Sequence, residues 1–363
     1  MKILGDEVAC AFRHVATPVL PATAWDRIGV ECRQAMDLFS TAGWFDDPLS
    51  YHEDPPALLR PRTQEAQSRS FQFQHIWYRS GYEPHAGEPG AERWRGYEAN
   101  ATAHAWVLRH PGRARPWLVC IPGYSMGMPY LDLSAFQVGW LHRRLGLNVV
   151  VPVLPLHGPR RIGWSSGDGF LSGDCMDTIH AAAQGIWDIR RLISWVRNQG
   201  APQVGVYGVS LGGYMAALLA GFDADLACVI AGIPATDFVH LAKHHSPRRM
   251  LRAAESSLGW PALQRLFGVV SPLRLEPLVP WSKRHIFAGT QDRIVPAAQV
   301  RLLQRHWGWP STTWYAGSHL SFVWEPDVRA LLRTTLRATL CAAIDPPGCR
   351  NVAEGDDTHR AVA

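Results

Sequence analysis

The chain has 363 residues, of which 47% are hydrophobic and 18% charged, and that apolar share excludes a disordered or collagenous chain because it can bury a large core. Its 36 Lys and Arg against 31 Asp and Glu leave a formal charge of +5, but the cations are scattered pairs such as Arg160-Arg161 and Arg190-Arg191, without the clustered run that a nucleic-acid partner needs. At about 150 residues per domain the length allows two domains, or one large α/β domain with insertions.

The first twenty residues are broken by Asp6, Glu7, Arg13 and His14 and carry no apolar leader core. No stretch of eighteen apolar residues follows, so no membrane span is expected and a cytoplasmic location is the default. Residues 1–70 read as an N-terminal extension with helical patterning over 25–40 and a turn-rich stretch over 46–61. From Phe71 the sequence Phe71-Gln72-Phe73-Gln74-His75-Ile76-Trp77-Tyr78 alternates as a strand does, and residues 103–109 form a second strand-like stretch.

A regular alternation follows. Short apolar runs at 117–121, 148–154, 204–207, 226–230, 284–287 and 312–315 are separated by helical patterns at 130–145, 178–199, 211–222 and 297–307. Apolar strands bounded by turns and alternating with helices predict a parallel sheet covered on both faces. Residues 234–282 interrupt the rhythm and are expected to form a cap over the sheet edge. Their His240, His244, His245, Arg248 and Arg249 offer a basic face to a substrate carboxylate or phosphate. The polar tail, 345–363, is expected to fray.

The seven cysteines (Cys10, Cys32, Cys120, Cys175, Cys228, Cys341 and Cys349) form no CxxC pair, so neither a zinc spacing nor a redox motif is present. Cys120 and Cys228 lie in apolar runs and read as buried thiols. The stretch Gly167-Asp168-Gly169-Phe170-Leu171-Ser172-Gly173-Asp174 lacks the ligand spacing and terminal Glu of a calcium loop and reads as turns in an exposed loop.

The chemistry concentrates in Gly208-Val209-Ser210-Leu211-Gly212-Gly213. It follows an apolar strand and opens a helix, the setting in which a serine on a strained turn is lifted above a sheet as a nucleophile. A serine needs a base, and the base an acid to orient it. Asp292 stands just past the strand at 284–287, and His319 follows the next strand, so the chain order is Ser, Asp, His. Asp237 is the reserve acid.

Residues 71–344 resemble the α/β-hydrolase superfamily, through Gly208–Gly212 as the elbow and Gly289-Thr290-Gln291-Asp292-Arg293-Ile294-Val295-Pro296 as its acid motif. The resemblance implies an α/β fold with a mostly parallel sheet and hydrolysis of a small-molecule acyl ester or thioester. It implies no metal or organic cofactor. Ser210, Asp292 and His319 are the expected triad, and Leu211, Tyr124 and Gly123 the expected oxyanion hole. His157, in a His-Gly loop after the strand at 148–154, is expected to border the site, and His244 and Arg248 to contact substrate. The alternatives are an acyltransferase on the same triad and a non-catalytic binding module of this fold.

Overall fold

The computed structural model describes residues 22–343; the readings of the N-terminal leader, Cys10, Cys349 and the tail lie outside them. Nine strands are formed: β1 (Arg62–Ser68), β2 (Phe71–Arg79), β3 (Thr102–Leu108), β4 (Trp117–Ile121), β5 (Asn148–Pro152), β6 (Val204–Val209), β7 (Cys228–Gly232), β8 (Arg284–Gly289) and β9 (Ser311–Tyr315). They make one sheet in the order β1-β2-β3-β5-β4-β6-β7-β8-β9. The first three strands and the β3–β5 pair are antiparallel, while every pair from β5 through β4 to β9 is parallel. Every residue of β4, β5, β6 and β7 is buried, as parallel strands covered on both faces must be.

The helices are α1 (Ala22–Thr41), α2 (Ala91–Arg95), α3 (Pro129–Ala135), α4 (Cys175–Asn198), α5 (Leu211–Leu219), α6 (Phe238–His245), α7 (Arg248–Ser257), α8 (Trp260–Leu266), α9 (Ala297–His306) and α10 (Pro326–Thr339). They divide the core in two. Val119 and Ile121 of β4 pack with α1, α4 and α5 on one face, whereas Leu118 and Cys120 pack with residues of α3 and α10 on the other. The alternation along one strand is the two-residue period of the pleat. Cys120 and Cys228 are buried free thiols.

Two expectations are corrected and a third gains detail. The sheet begins at Arg62 rather than Phe71, because β1 pairs with β2 along its whole length; its residues are polar and mostly exposed apart from Ala66, which packs on the core, so it is held mainly by backbone bonds. The helical reading over 130–145 is interrupted after α3, where Gln137 takes φ 47° and its side-chain amide donates to Val323 O, 2.5 Å away, and helix resumes over Trp140–Arg144. Leu131, near the start of that pattern, is 46% exposed. The interruption at 234–282 contains three helices, α6 to α8, and α8 contacts α1, so the N-terminal extension and the cap close on each other.

Candidate active site

The parallel strands β6, β7, β8 and β9 end on one edge of the sheet, where ligands of open α/β sheets bind. Ser210 joins β6 to α5 with φ 57° and ψ −116°, a conformation that disfavours any residue bearing a Cβ. Its N–H donates to Gly232 O at 2.9 Å, and its carbonyl accepts from Tyr214 N at 3.0 Å and Ala235 N at 3.3 Å. The glycines around it are required by space. A Cβ on Gly208 would overlap the carbonyl of Gly212, and one on Gly212 the carbonyl of Ile121. Leu211 is the first residue of α5, so its N–H has no helical carbonyl to bond.

Asp292 and His319 are brought together at the same edge. His319 Nδ1 lies 2.7 Å from Asp292 Oδ2, and Asp292 Oδ1 accepts the N–H groups of Ile294 at 2.9 Å and Val295 at 2.7 Å. The Asp292 carboxylate is buried, with 2% of its side chain exposed, and three donors compensate its lost hydration. Because β7 lies between β6 and β8, the chain at Ser210 and the strand leading to Asp292 are about 10 Å apart. His319 is set by a turn missing from the sequence reading. Tyr315 donates its hydroxyl to Ser318 O at 3.0 Å, and Ser321 Oγ accepts Ser318 N–H at 3.0 Å while donating to Glu325 at 2.8 Å. The reserve acid Asp237 is elsewhere employed: it caps α6 by accepting His240 N–H at 2.9 Å.

The loop after β4 comes up against the serine: a Cβ on Gly123 would stand 3.3 Å from that of Ser210. The Gly123 N–H is engaged with Met126 Sδ at 3.1 Å. Asp132 fixes the loop's far end, accepting Gly127 N–H and Trp106 Nε1–H, both at 2.8 Å. Burial raises the Asp132 carboxyl to about 6 despite those donors.

His157 lies below the surface of its loop. It is buried, wedged with its ring centroid 5.6 Å from that of Tyr124 and 5.8 Å from that of Phe170. Its Nδ1 is 2.8 Å from Pro155 O, which makes Nδ1 the protonated nitrogen, and burial lowers its pKa to about 4. It braces Tyr124 from behind. His244 and Arg248 are exposed, whereas their neighbours His245 and Arg249 line a cavity between the cap and α1. The expected exposed loop is also corrected at its end: Asp174 is buried and caps α4 by accepting Asp177 N–H at 3.2 Å.

A family model described as "Alpha/beta hydrolase domain containing 18" matches residues 177–239, the span from α4 through Ser210 to the start of the cap. The chain is 40% identical over 339 residues to the uncharacterized protein MT2702 of Mycobacterium tuberculosis strain CDC 1551, covering 91% of this chain and 80% of that protein. Its fold is similar to that of acetyl xylan esterase 1 from Thermoanaerobacterium sp. JW/SL YS485, with a TM-score of 0.56 over 82% of this chain and 93% of that one at 15% identity. The chain belongs to the same family as that mycobacterial protein and has the α/β-hydrolase fold. Acetyl xylan esterase from Paenibacillus sp. R4 aligns similarly, with a TM-score of 0.55, 15% identity, and coverage of 81% of this chain and 99% of that one. In both cases the match spans most of both chains. No helix among the described residues is long and apolar enough to cross a membrane.

Proposed function

We propose that the protein is a serine hydrolase that cleaves a small-molecule carboxylic ester or thioester through an acyl-enzyme. The observation that carries this reading is a conjunction: a serine at φ 57° on a strand-to-helix turn, with a His319–Asp292 pair at the same sheet edge. Each alone has a structural explanation; together they supply a nucleophile, a base and an orienting acid. Two solved structures that share the fold carry esterase in their names, which favours an ester over an amide.

In this reading Ser210 Oγ attacks the acyl carbon while His319 Nε2 takes its proton. Asp292 holds the proton on Nδ1 and stabilises the imidazolium. The backbone N–H groups of Leu211 and Tyr124 bind the oxyanion, aided by the positive end of α5. Collapse expels the alcohol or thiol, which takes its proton from His319. Water, deprotonated by the same imidazole, then releases the acid and restores Ser210. His319 carries every proton, so the cycle calls on no cofactor.

Purified protein should hydrolyse p-nitrophenyl acetate and form a covalent adduct with a fluorophosphonate at Ser210, located by mass spectrometry. Ser210→Ala is expected to lower kcat by about a thousand-fold or more and to abolish labelling. Undiminished turnover in that variant overturns the reading.

A further inference from the structure

The cavity between the cap and α1 has a volume of about 210 Å³. Its walls come from five places: Trp25 of α1, Leu171 and Cys175 leading into α4, Phe238 of α6, Met250 and Ala254 of α7, and Leu263 of α8. Most polar side chains on its surface are already committed. Asp174 is paired with Arg27 at 2.6 Å, Thr178 donates its hydroxyl to Phe170 O, and His245 Nε2 is 2.7 Å from Ile294 O. A mostly apolar cavity whose buried polar groups are satisfied, with Arg249 on its lining, selects an apolar chain, because a polar one would surrender hydrogen bonds to water without recovering them.

Ser210, Asp292 and His319 do not line this cavity, but the segments that wall it are hydrogen-bonded to those that carry them. The cap leaves the sheet at Ala235, whose N–H is bonded to Ser210 O at 3.3 Å. Three residues later Phe238 forms the cavity wall, its ring stacked 4.2 Å from that of Tyr214, one helical turn along α5 from Ser210. On the other side, His245 is tied to the carbonyl of Ile294, whose N–H is bonded to Asp292.

We infer that this cavity receives the apolar acyl chain of the substrate, and that α1 is a specificity-determining wall through Trp25. The inference rests on the serine-hydrolase reading and names its substrate class: esters of medium-chain acids. An apolar protein cavity of about 150 Å³ admits benzene, so by proportion this one takes about eight carbon atoms. The wall is firmly set. Ile28, Cys32, Ala35 and Phe39 of α1 are buried in the core, and Arg27 locks the helix to Asp174.

The test uses two variants that change the volume in opposite directions. Ala254, on the cavity lining in α7, becomes Phe to fill it, and Trp25 becomes Ala to enlarge it. For p-nitrophenyl esters from acetate to dodecanoate, Ala254→Phe should lower the octanoate-to-acetate ratio of kcat/KM at least ten-fold, and Trp25→Ala should move the optimum to longer chains. Octanoate binding, measured by calorimetry on Ser210→Ala protein, should weaken at least ten-fold when Ala254→Phe is added. An unchanged chain-length profile and unchanged octanoate affinity in folded variants, checked by circular dichroism, overturn the inference. Octanoate binding that responds to Ala254→Phe in a protein whose Ser210 takes no label would leave the cavity assignment standing and sink the serine-hydrolase reading alone.

Discussion

The backbone at Ser210, φ 57° and ψ −116°, costs a residue with a Cβ about 1–3 kcal/mol. Gly208-Val209-Ser210-Leu211-Gly212 declares that strain in the sequence, because only glycines fit where the turn crosses Ile121 and its own helix. Ser210→Gly and Ser210→Ala both remove the hydroxyl, but only the first relieves the Cβ. Ser210→Gly should therefore be the more stable by about 1 kcal/mol, after allowing for the greater unfolded freedom of glycine. Urea denaturation of the two variants measures the difference, and equal midpoints would mean that the turn is unstrained. Asp292 and His319 were legible for a related reason: each follows a strand in a local motif. Met126, Asp132 and Glu325 were not, since their roles arise across the fold, as when Asp132 meets Trp106 of β3. For His157, a His-Gly loop does not reveal whether the ring faces solvent or, as here, Tyr124 and Phe170.

Helix α1 shows how an element can be legible while its purpose is hidden. Its pattern was visible over 25–40, but its anchor lies far along the chain. Arg93 bonds Glu31 of α1 at 2.7 Å and 3.0 Å and Asp177 of α4 at 3.0 Å, and Arg27 of α1 reaches Asp174 at 2.6 Å. The carboxylates outweigh burial and raise the Arg93 pKa, whereas burial first and then Asp174 raise that of Asp177. Removing Arg93 would leave three carboxylates facing one remaining arginine. Arg93→Ala should cost about 3 kcal/mol, the low end for a buried ionic group because a quarter of the Arg93 side chain is exposed. Arg93→Lys should recover little of it, since an ammonium cannot reproduce a fork shared among three acids. Urea midpoints within 1 kcal/mol of wild type for Arg93→Ala would contradict the clamp. Strand β1 is the opposite case, an element the sequence concealed: the stretch Arg62–Ser68 has no apolar alternation, because its stability comes from backbone pairing at a solvated edge.

At the scale of the molecule, the alternation of apolar runs and helical stretches made the parallel sheet readable, since burial on both faces leaves its mark on every residue of β4 to β7. What burial does to charge was not readable, and it sets the response to acid. Two buried groups brace opposite sides of the loop after β4: Asp132 bonds Gly127, and His157 packs on Tyr124. Their linkages run in opposite directions. Burial lowers His157 from 6.5 to about 4, so below pH 6.5 the unfolded chain binds the proton first and stability falls until about pH 4. Burial raises Asp132 from 3.8 to about 6, so below pH 6 the folded chain binds the proton first and stability is regained down to 3.8. Between pH 7.5 and 4.5 each contributes roughly 2 kcal/mol, with opposite sign. Relative to wild type, His157→Asn should thus lose roughly 2 kcal/mol less stability on acidification, and Asp132→Asn roughly 2 kcal/mol more. The comparison is the change in urea unfolding free energy between the two pH values within each protein, so the cost of either substitution at neutral pH cancels. Parallel profiles for all three proteins would show that neither group carries its charge state through folding as the buried positions require.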